Sequence, residues 1–171
     1  MSYADVNGLR LWYEEHGDGP PLVLLHGGYG AAEMFAPILP ALAHRRRVIA
    51  VDLQGHGRTA DVDRPLRYET MADDVAALLR HLGLPGAQLL GYSLGGGVAL
   101  RTAVQHPDLV RRLVLVSTPF RRRGWYPGVL AAMSGQDERG RRTDARHAPA
   151  PALHADRPPA AGLAGALGQD R

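Results

Sequence analysis

The organisation of this chain follows from one segment, Gln88-Leu89-Leu90-Gly91-Tyr92-Ser93-Leu94-Gly95-Gly96-Gly97-Val98-Ala99. An apolar run ends at Gly91, a single serine follows, and glycines then open a pattern that is typical of a helix. The spacing Gly-x-Ser-x-Gly places a nucleophilic serine on a sharp turn between a strand and a helix. Such a turn pushes Ser93 toward an unfavourable backbone conformation, and its near neighbours have no room for a Cβ atom. We therefore predict a strand, a turn at Ser93 and a helix whose first N–H groups face the site.

The composition predicts one globular domain, with or without a tail. The chain has 171 residues, of which 45% are hydrophobic, and this length is sufficient for a buried core. It has no cysteine, which excludes disulfides and thiolate metal sites. It has no lysine either, which excludes P-loop and Schiff-base mechanisms.

We expect no cofactor and no metal. Residues 55–60 fit the spacing G-x-G-x-x-A after a strand, which is one form of a dinucleotide-binding motif. However, Asp61, Asp63 and Pro65 follow where the helix of such a motif should begin, so a dinucleotide site is not expected. The histidines show no paired spacing on one face that would suggest metal ligation.

The charge pattern argues against nucleic acid as a partner. The net charge is +3, and all 20 basic residues are arginine. They occur in short clusters without interleaved aromatic residues, so we interpret them as solvated faces and a basic tail. Residues 1–5 have neither the basic region nor the apolar region of a signal peptide, and no apolar run reaches the roughly 20 residues that span a bilayer. We expect a cytoplasmic protein that does not bind membranes.

The hydrophobic pattern predicts alternating strands and helices. Strands are expected at 9–15, 22–25, 48–52, 87–92 and 112–117, and helices at about 32–43, from Thr70 as N-cap to Gly83, and from the Ser93 turn to about His106. Short, wholly apolar strands are typical of a sheet that is buried on both faces. The predicted fold class is therefore α/β, with a mostly parallel sheet and helices on both faces.

The pattern changes after Phe120. From Glu138 to the end, Ala, Arg, Pro and Gly supply 23 of 34 residues, and this segment has no Val, Ile, Met or aromatic residue. Too little apolar surface is present to offset the chain entropy, so we predict a domain over residues 1–135 and a disordered tail over 136–171. The abrupt change favours a truncated or frameshifted chain after about residue 137.

Four motifs, in this order, resemble the α/β-hydrolase fold superfamily, in particular its esterase-like and lactonase-like serine hydrolases. They are Leu24 to Gly28, Val51 to Thr59, Gly91 to Gly95, and Pro107 to Val116. The resemblance covers about residues 3–135, the N-terminal portion of that fold. It implies Ser93 as the nucleophile and the backbone N–H groups of Leu94 and Gly28 as oxyanion donors, with Tyr29 as the alternative to Gly28. A serine rather than an aspartate at the turn argues against the dehalogenase and epoxide-hydrolase branches.

The same resemblance implies an acid and then a histidine downstream of the nucleophile. His106 is explained by its position at the end of a helix. The other downstream candidates are His147, His154, Asp137, Asp144 and Asp156, which have no predicted strand to hold them. We therefore expect this chain to lack the acid and the histidine of the triad. His26, His56 and Asp52 are interpreted as residues that hold loops.

The resemblance implies hydrolysis of a small carboxylic ester or lactone through an acyl-Ser93 intermediate. We expect this activity to be absent or severely impaired in the present chain. Two alternatives stay open, namely acyl transfer in a full-length parent and a non-catalytic remnant or binding module. Tyr29, Tyr92 and Trp125 are candidates for the substrate pocket, although apolar packing would equally explain Trp125. The strand around Leu115 should leave an apolar sheet edge, through which we expect self-association.

Overall fold

A computed structural model describes residues 1–120 together with 124, 126 and 128, and within this range six strands form a single sheet. The strands are β1 (Ser2–Val6), β2 (Leu9–His16), β3 (Pro21–Leu25), β4 (Arg47–Val51), β5 (Ala87–Tyr92) and β6 (Val110–Val116). Their order across the sheet is β1-β2-β4-β3-β5-β6. The β1–β2 and β2–β4 pairs are antiparallel, and the three remaining pairs are parallel. The predicted mostly parallel sheet is confirmed.

Helices cover both faces of this sheet. They are α1 (Leu39–Ala43), α2 (Tyr68–His81) and α3 (Leu94–Gln105), with 3₁₀ turns at Ala32–Phe35 and Pro107–Leu109. Successive side chains of a strand point to opposite faces. Accordingly, Val23 and Leu25 of β3 join the core beneath α2 and α3, whereas Leu22 and Leu24 join the core beneath α1 and the first 3₁₀ turn. This double burial explains why β3 is apolar throughout.

Two local predictions were wrong. The continuous helix expected over residues 32–43 is divided into a 3₁₀ turn and the short α1, because Pro37 lacks an N–H group and its ring would clash with a helical carbonyl. Thr70 is not an N-cap. The helix begins at Tyr68, two residues earlier, and the Thr70 hydroxyl donates to the carbonyl of Arg67 at 3.0 Å.

The strand β1 was not predicted. It pairs with β2 through the turn Asn7-Gly8, in which both residues have positive φ values of 50° and 76°. An Asn-Gly pair between two strands is the usual sequence signal for a two-residue hairpin, because both positions require left-handed backbone. The signal was therefore present in the sequence.

Residues Met1–Tyr126 form one compact unit. The predicted tail, the domain boundary near residue 135 and Trp125 lie outside the described residues. Within the described residues, no helix is long and apolar enough to cross a membrane.

Replacing Gly95 by alanine tests how closely α3 approaches β3. A Cβ atom on Gly95 would lie 2.2 Å from the carbonyl oxygen of Leu25. Although alanine favours a helix by about 1 kcal/mol over glycine, we expect Gly95→Ala to lower the free energy of unfolding by about 3 kcal/mol, the upper range for overpacking. Urea unfolding measures the change. Gly28→Ala is the control, since its Cβ would meet only Leu94 at 3.9 Å, and equal losses in both variants would contradict the prediction.

Candidate active site

The predicted turn at Ser93 is present and is strained. Ser93 connects β5 to α3 with φ 50° and ψ −110°, a conformation that side-chain-bearing residues rarely adopt. Its N–H donates to the carbonyl of Val116 at 2.9 Å, and its own carbonyl accepts from the N–H of Gly97 at 3.1 Å. These two bonds hold the serine in place while its side chain remains partly exposed.

The glycines around Ser93 are required by space, as the sequence predicted. A Cβ atom on Gly91 would lie 2.3 Å from the carbonyl oxygen of Gly95. One on Gly96 would lie 1.8 Å from Oγ1 of Thr118. Such distances are far inside van der Waals contact, so the turn can form only when these positions carry no side chain.

Thr118 contacts the Ser93 turn, which the sequence did not predict. Its hydroxyl lies 3.2 Å from the carbonyl oxygen of Ser93 and 3.1 Å from that of Val116, and it can donate to either. The residue therefore ties the end of β6 to the turn. Nothing in the pattern Ser-Thr-Pro after an apolar strand indicates this role, because the contact joins residues 25 positions apart.

The loop after β3 packs against the turn. A Cβ atom on Gly27 would lie 3.6 Å from Cβ of Ser93, and one on Gly28 would lie 3.9 Å from Cβ of Leu94. Among the described residues, the backbone N–H groups of Gly28 and Leu94 form no hydrogen bond, whereas that of Gly95 donates to the carbonyl of His26 at 3.0 Å. Within the part of the chain that the structure describes, one N–H group of this loop and one at the start of α3 are therefore without a hydrogen-bond partner.

The aromatic candidates differ in their surroundings. Tyr92 is 38% exposed and its ring packs on Gly27, where a Cβ atom would come within 2.8 Å of Cδ1. Tyr29 is 98% exposed and has a φ of 60°. Tyr92 therefore forms part of the wall beside Ser93, whereas the Tyr29 side chain extends into solvent from the same loop.

His26 holds two loops together. The residue is buried, its Nε2 accepts from the N–H of Leu53 at 3.0 Å, and its Nδ1 lies 2.8 Å from the carbonyl oxygen of Gly27. A ring that accepts at Nε2 and donates at Nδ1 is neutral. Burial lowers the pKa of His26, and the bond to Gly27 opposes this shift only in part. Both ring nitrogens are occupied, which confirms the interpretation as a loop-holding residue.

Asp52 and His56 stabilise the loop after β4 in a similar way. Asp52 is buried, and its carboxylate accepts from the N–H groups of Ala32 at 2.7 Å and Arg58 at 2.9 Å. The Nδ1 atom of His56 lies 2.8 Å from the carbonyl oxygen of Gln54, and its ring centroid is 5.0 Å from that of His26. The loop-holding roles predicted for these residues are confirmed.

No base contacts the serine within the described residues. None of the described side chains forms a hydrogen bond with the Ser93 hydroxyl, and His106 caps the far end of α3, about 20 Å away at a rise of about 1.5 Å per residue. His106 is bound there to Asp73, with 2.8 Å between Nε2 and Oδ1. The candidates His147, His154, Asp137, Asp144 and Asp156 lie outside the described residues.

The described residues include no group of three or more His, Asp or Glu that could hold a metal ion.

The described residues place a strained serine between a strand and a helix of a mostly parallel sheet. We compared this chain with known proteins to find which fold family has this arrangement. The family model for the α/β-hydrolase fold matches residues 20–151. The chain belongs to the α/β-hydrolase family.

The similar proteins carry several different activities. The chain is 42% identical over 117 residues to the dihydrolipoyllysine-residue acetyltransferase component of an acetoin cleaving system from Pseudomonas putida, covering 67% of this chain and 32% of the relative. It is 40% identical over 116 residues to a soluble epoxide hydrolase from Corynebacterium sp., covering 66% and 40%. A solved thermophilic esterase from Thermogutta terrifontis superposes with a TM-score of 0.70 at 33% identity, over 83% of this chain and 52% of that one. The chain thus spans about a third to a half of each of these proteins.

His26 makes the stability of the site dependent on pH. Because the pKa of His26 is lowered in the folded protein, the unfolded chain takes up the proton first, at about the ordinary value of 6.5. We therefore expect the free energy of unfolding to fall as the pH is lowered below about 6.5, and to fall less steeply in His26→Gln, whose amide can both donate and accept. Urea unfolding between pH 7 and pH 5 measures the slope. His81→Gln, an exposed position on α2, should keep the wild-type slope, and an unchanged slope in His26→Gln would refute the prediction.

Proposed function

We propose that Ser93 is the nucleophile of a serine hydrolase site that acts on a small carboxylic ester or lactone. The observation that carries the proposal is the strained Ser93 turn beside the two unbonded N–H groups of Gly28 and Leu94. Backbone strain of this kind persists only where the surrounding structure enforces it, and it is concentrated at functional sites. Here Gly91, Gly95 and Gly96 and the end of β6 enforce it.

The proposed reaction begins with attack of the Ser93 oxygen on the substrate carbonyl carbon. A C–O bond forms, the carbonyl π electrons move to oxygen, and the resulting oxyanion accepts hydrogen bonds from Gly28 and Leu94. Collapse breaks the bond to the alkoxide, which leaves with the serine proton, and water then cleaves the acyl-serine in the same manner. Removing one oxyanion donor typically costs about 100- to 1000-fold in rate.

The proton transfers need a base that the described residues do not supply to Ser93. Loss of the histidine of a serine triad lowers turnover by about 10⁶-fold and leaves about 10³- to 10⁴-fold over water from the oxyanion donors and binding. We therefore propose that the described residues support recognition and slow acylation, and that turnover in this chain is severely impaired. A non-catalytic binding role is the alternative that the experiment below separates from this one.

The substrate proposal is limited to the acyl class. The solved relative named an esterase and the relative named an acetyltransferase component both fit acyl chemistry, in which water or another acceptor receives the acyl group. The relative named an epoxide hydrolase does not extend the proposal to epoxides. We interpret a serine, rather than an aspartate, at position 93 as an argument against that branch. We propose that Tyr92, beside the serine, and Tyr29, on the loop after β3 that carries Gly28, contact the substrate. Side chains such as these have to set the specificity, because the fold alone does not.

Labelling with a fluorophosphonate tests the nucleophile directly. We expect intact-mass analysis to show one adduct per chain, located at Ser93 by peptide mapping and absent from Ser93→Ala. Ser117→Ala is the matched control, since Ser117 is also exposed and has a positive φ of 53°, but is not followed by a helix. Wild-type protein without an adduct would leave only the non-catalytic role, and an adduct that persists in Ser93→Ala would exclude Ser93.

We also propose that a second copy of the chain binds at the β6 edge. Within the described residues β6 is an edge strand, and its side chains Val114, Leu115 and Val116 are 49%, 37% and 41% exposed. An edge strand with unpaired backbone groups and apolar side chains favours pairing with another strand. The same strand from a second copy supplies matching backbone groups and an equally apolar surface.

Light scattering during gel filtration tests this association. We expect the molar mass to rise with concentration in the wild type and to fall toward the monomer in Val114→Lys, because a charge on an edge strand opposes pairing. Val104→Lys introduces the same charge at an exposed valine on α3, away from the edge, and should behave as the wild type. A monomeric wild type at every concentration, or equal effects of both variants, would contradict the proposal.

A further inference from the structure

A basic groove lies at the end of the sheet opposite Ser93. It has a volume of about 420 Å³ and is lined by Arg45, Arg46, Arg111, Arg112 and Gln88, together with small apolar residues. Arg45 and Arg46 directly precede β4, Gln88 is the second residue of β5, and Arg111 and Arg112 belong to the start of β6. Ser93 follows the last residue of β5, so the two places are separated by the length of the parallel strands.

The four arginines of this basic groove have no acidic partner among the described residues. No Asp or Glu lines the groove, and the one side-chain bond formed there joins Nη1 of Arg46 to Oε1 of Gln88 at 2.8 Å. Outside the groove, four described arginines form ion pairs with acidic residues, for example Arg47 with Glu15 at 2.6 Å between Nε and Oε2. What distinguishes the groove is that four arginines without an acidic partner among the described residues line one concavity.

No local pattern indicates this arrangement, because the arginines come from two segments about 65 positions apart, by the numbering. Folding places both segments at the amino ends of parallel strands. Like charges around one concavity repel each other, and the concavity focuses their field on a bound anion. An anion that contacts several guanidinium groups relieves this repulsion.

We propose that the basic groove binds a ligand with two or more linked phosphates. Guanidinium groups donate paired hydrogen bonds that match the oxygens of a phosphate, which a compact ammonium group cannot do. A chain of phosphates offers separate groups of oxygens to the arginines of the two segments. The volume lies within the range of small-molecule sites. No aromatic side chain lines the groove, so a nucleoside attached to the phosphates has no stacking surface.

Titration calorimetry of the full chain with sodium tripolyphosphate tests the proposal. We expect saturable binding that weakens as the salt concentration is raised, and a nucleoside triphosphate that binds no more tightly than tripolyphosphate. The double variant Arg45→Gln/Arg112→Gln removes one charge from each segment and should weaken binding at least about tenfold, given the strength of charge-assisted hydrogen bonds. Arg47→Gln, next to Arg46 in sequence but paired with Glu15, should change the affinity less than about twofold, since an exposed ion pair contributes little.

Chemical protection provides a second measurement that needs no variant. Tripolyphosphate should slow the modification of Arg45 and Arg112 by phenylglyoxal, read by peptide mapping, and leave the rate at Arg47 unchanged. Equal protection of all arginines, equal loss of affinity in both variants, or no binding to the wild type would overturn the proposal. Binding of duplex DNA without binding of tripolyphosphate would replace it with a nucleic-acid surface. None of these results depends on the reactivity of Ser93.

Discussion

The close approach of α3 to the end of β3 is the constraint on which the site depends. The N–H of Gly95 reaches the carbonyl of His26 at 3.0 Å, and there is no space for a side chain between Gly95 and Leu25. This contact sets where α3 begins, and therefore where Ser93 lies. It also brings the loop that carries Gly28 against the start of the helix. If the two backbones were separated by one methyl group, the hydrogen bond from Gly95 to His26 would be lost and α3 could not begin at this place.

Much of this arrangement was predictable because it depends on short-range spacing. Strand β5 and the start of α3 follow from residues within about ten positions of Ser93, where Gly91 and Gly95 are required because a Cβ atom would meet backbone atoms. The buried strands were equally clear, since a strand covered on both faces is apolar at every position. The loop-holding role of Asp52 followed from its place at a strand end, and that of His26 from a loop that resembles a family motif.

The features that were missed depend on contacts distant in sequence or on competing local effects. Thr118 contacts Ser93 across 25 positions, and no local pattern distinguishes it from any threonine after a strand. The four arginines of the basic groove were interpreted as solvated clusters, because charge patterning along the chain cannot show which clusters become neighbours. The helix expected over residues 32–43 was a different error, in which apolar periodicity was given more weight than Pro37. The hairpin at Asn7-Gly8 had a local signal that was overlooked.

The order of strands also determines when the sheet can be assembled. The central strand β3 pairs with β4 and β5, not with β2, which precedes it in the sequence. A growing chain can close the β1–β2 hairpin early, but β3 must wait until residue 92 has been synthesised before both of its edges are paired. During that interval a strand that is apolar on both faces has no cover, which is the condition under which nascent chains associate wrongly. A strand that is buried on both faces of the mature sheet is thus exposed to wrong association during synthesis.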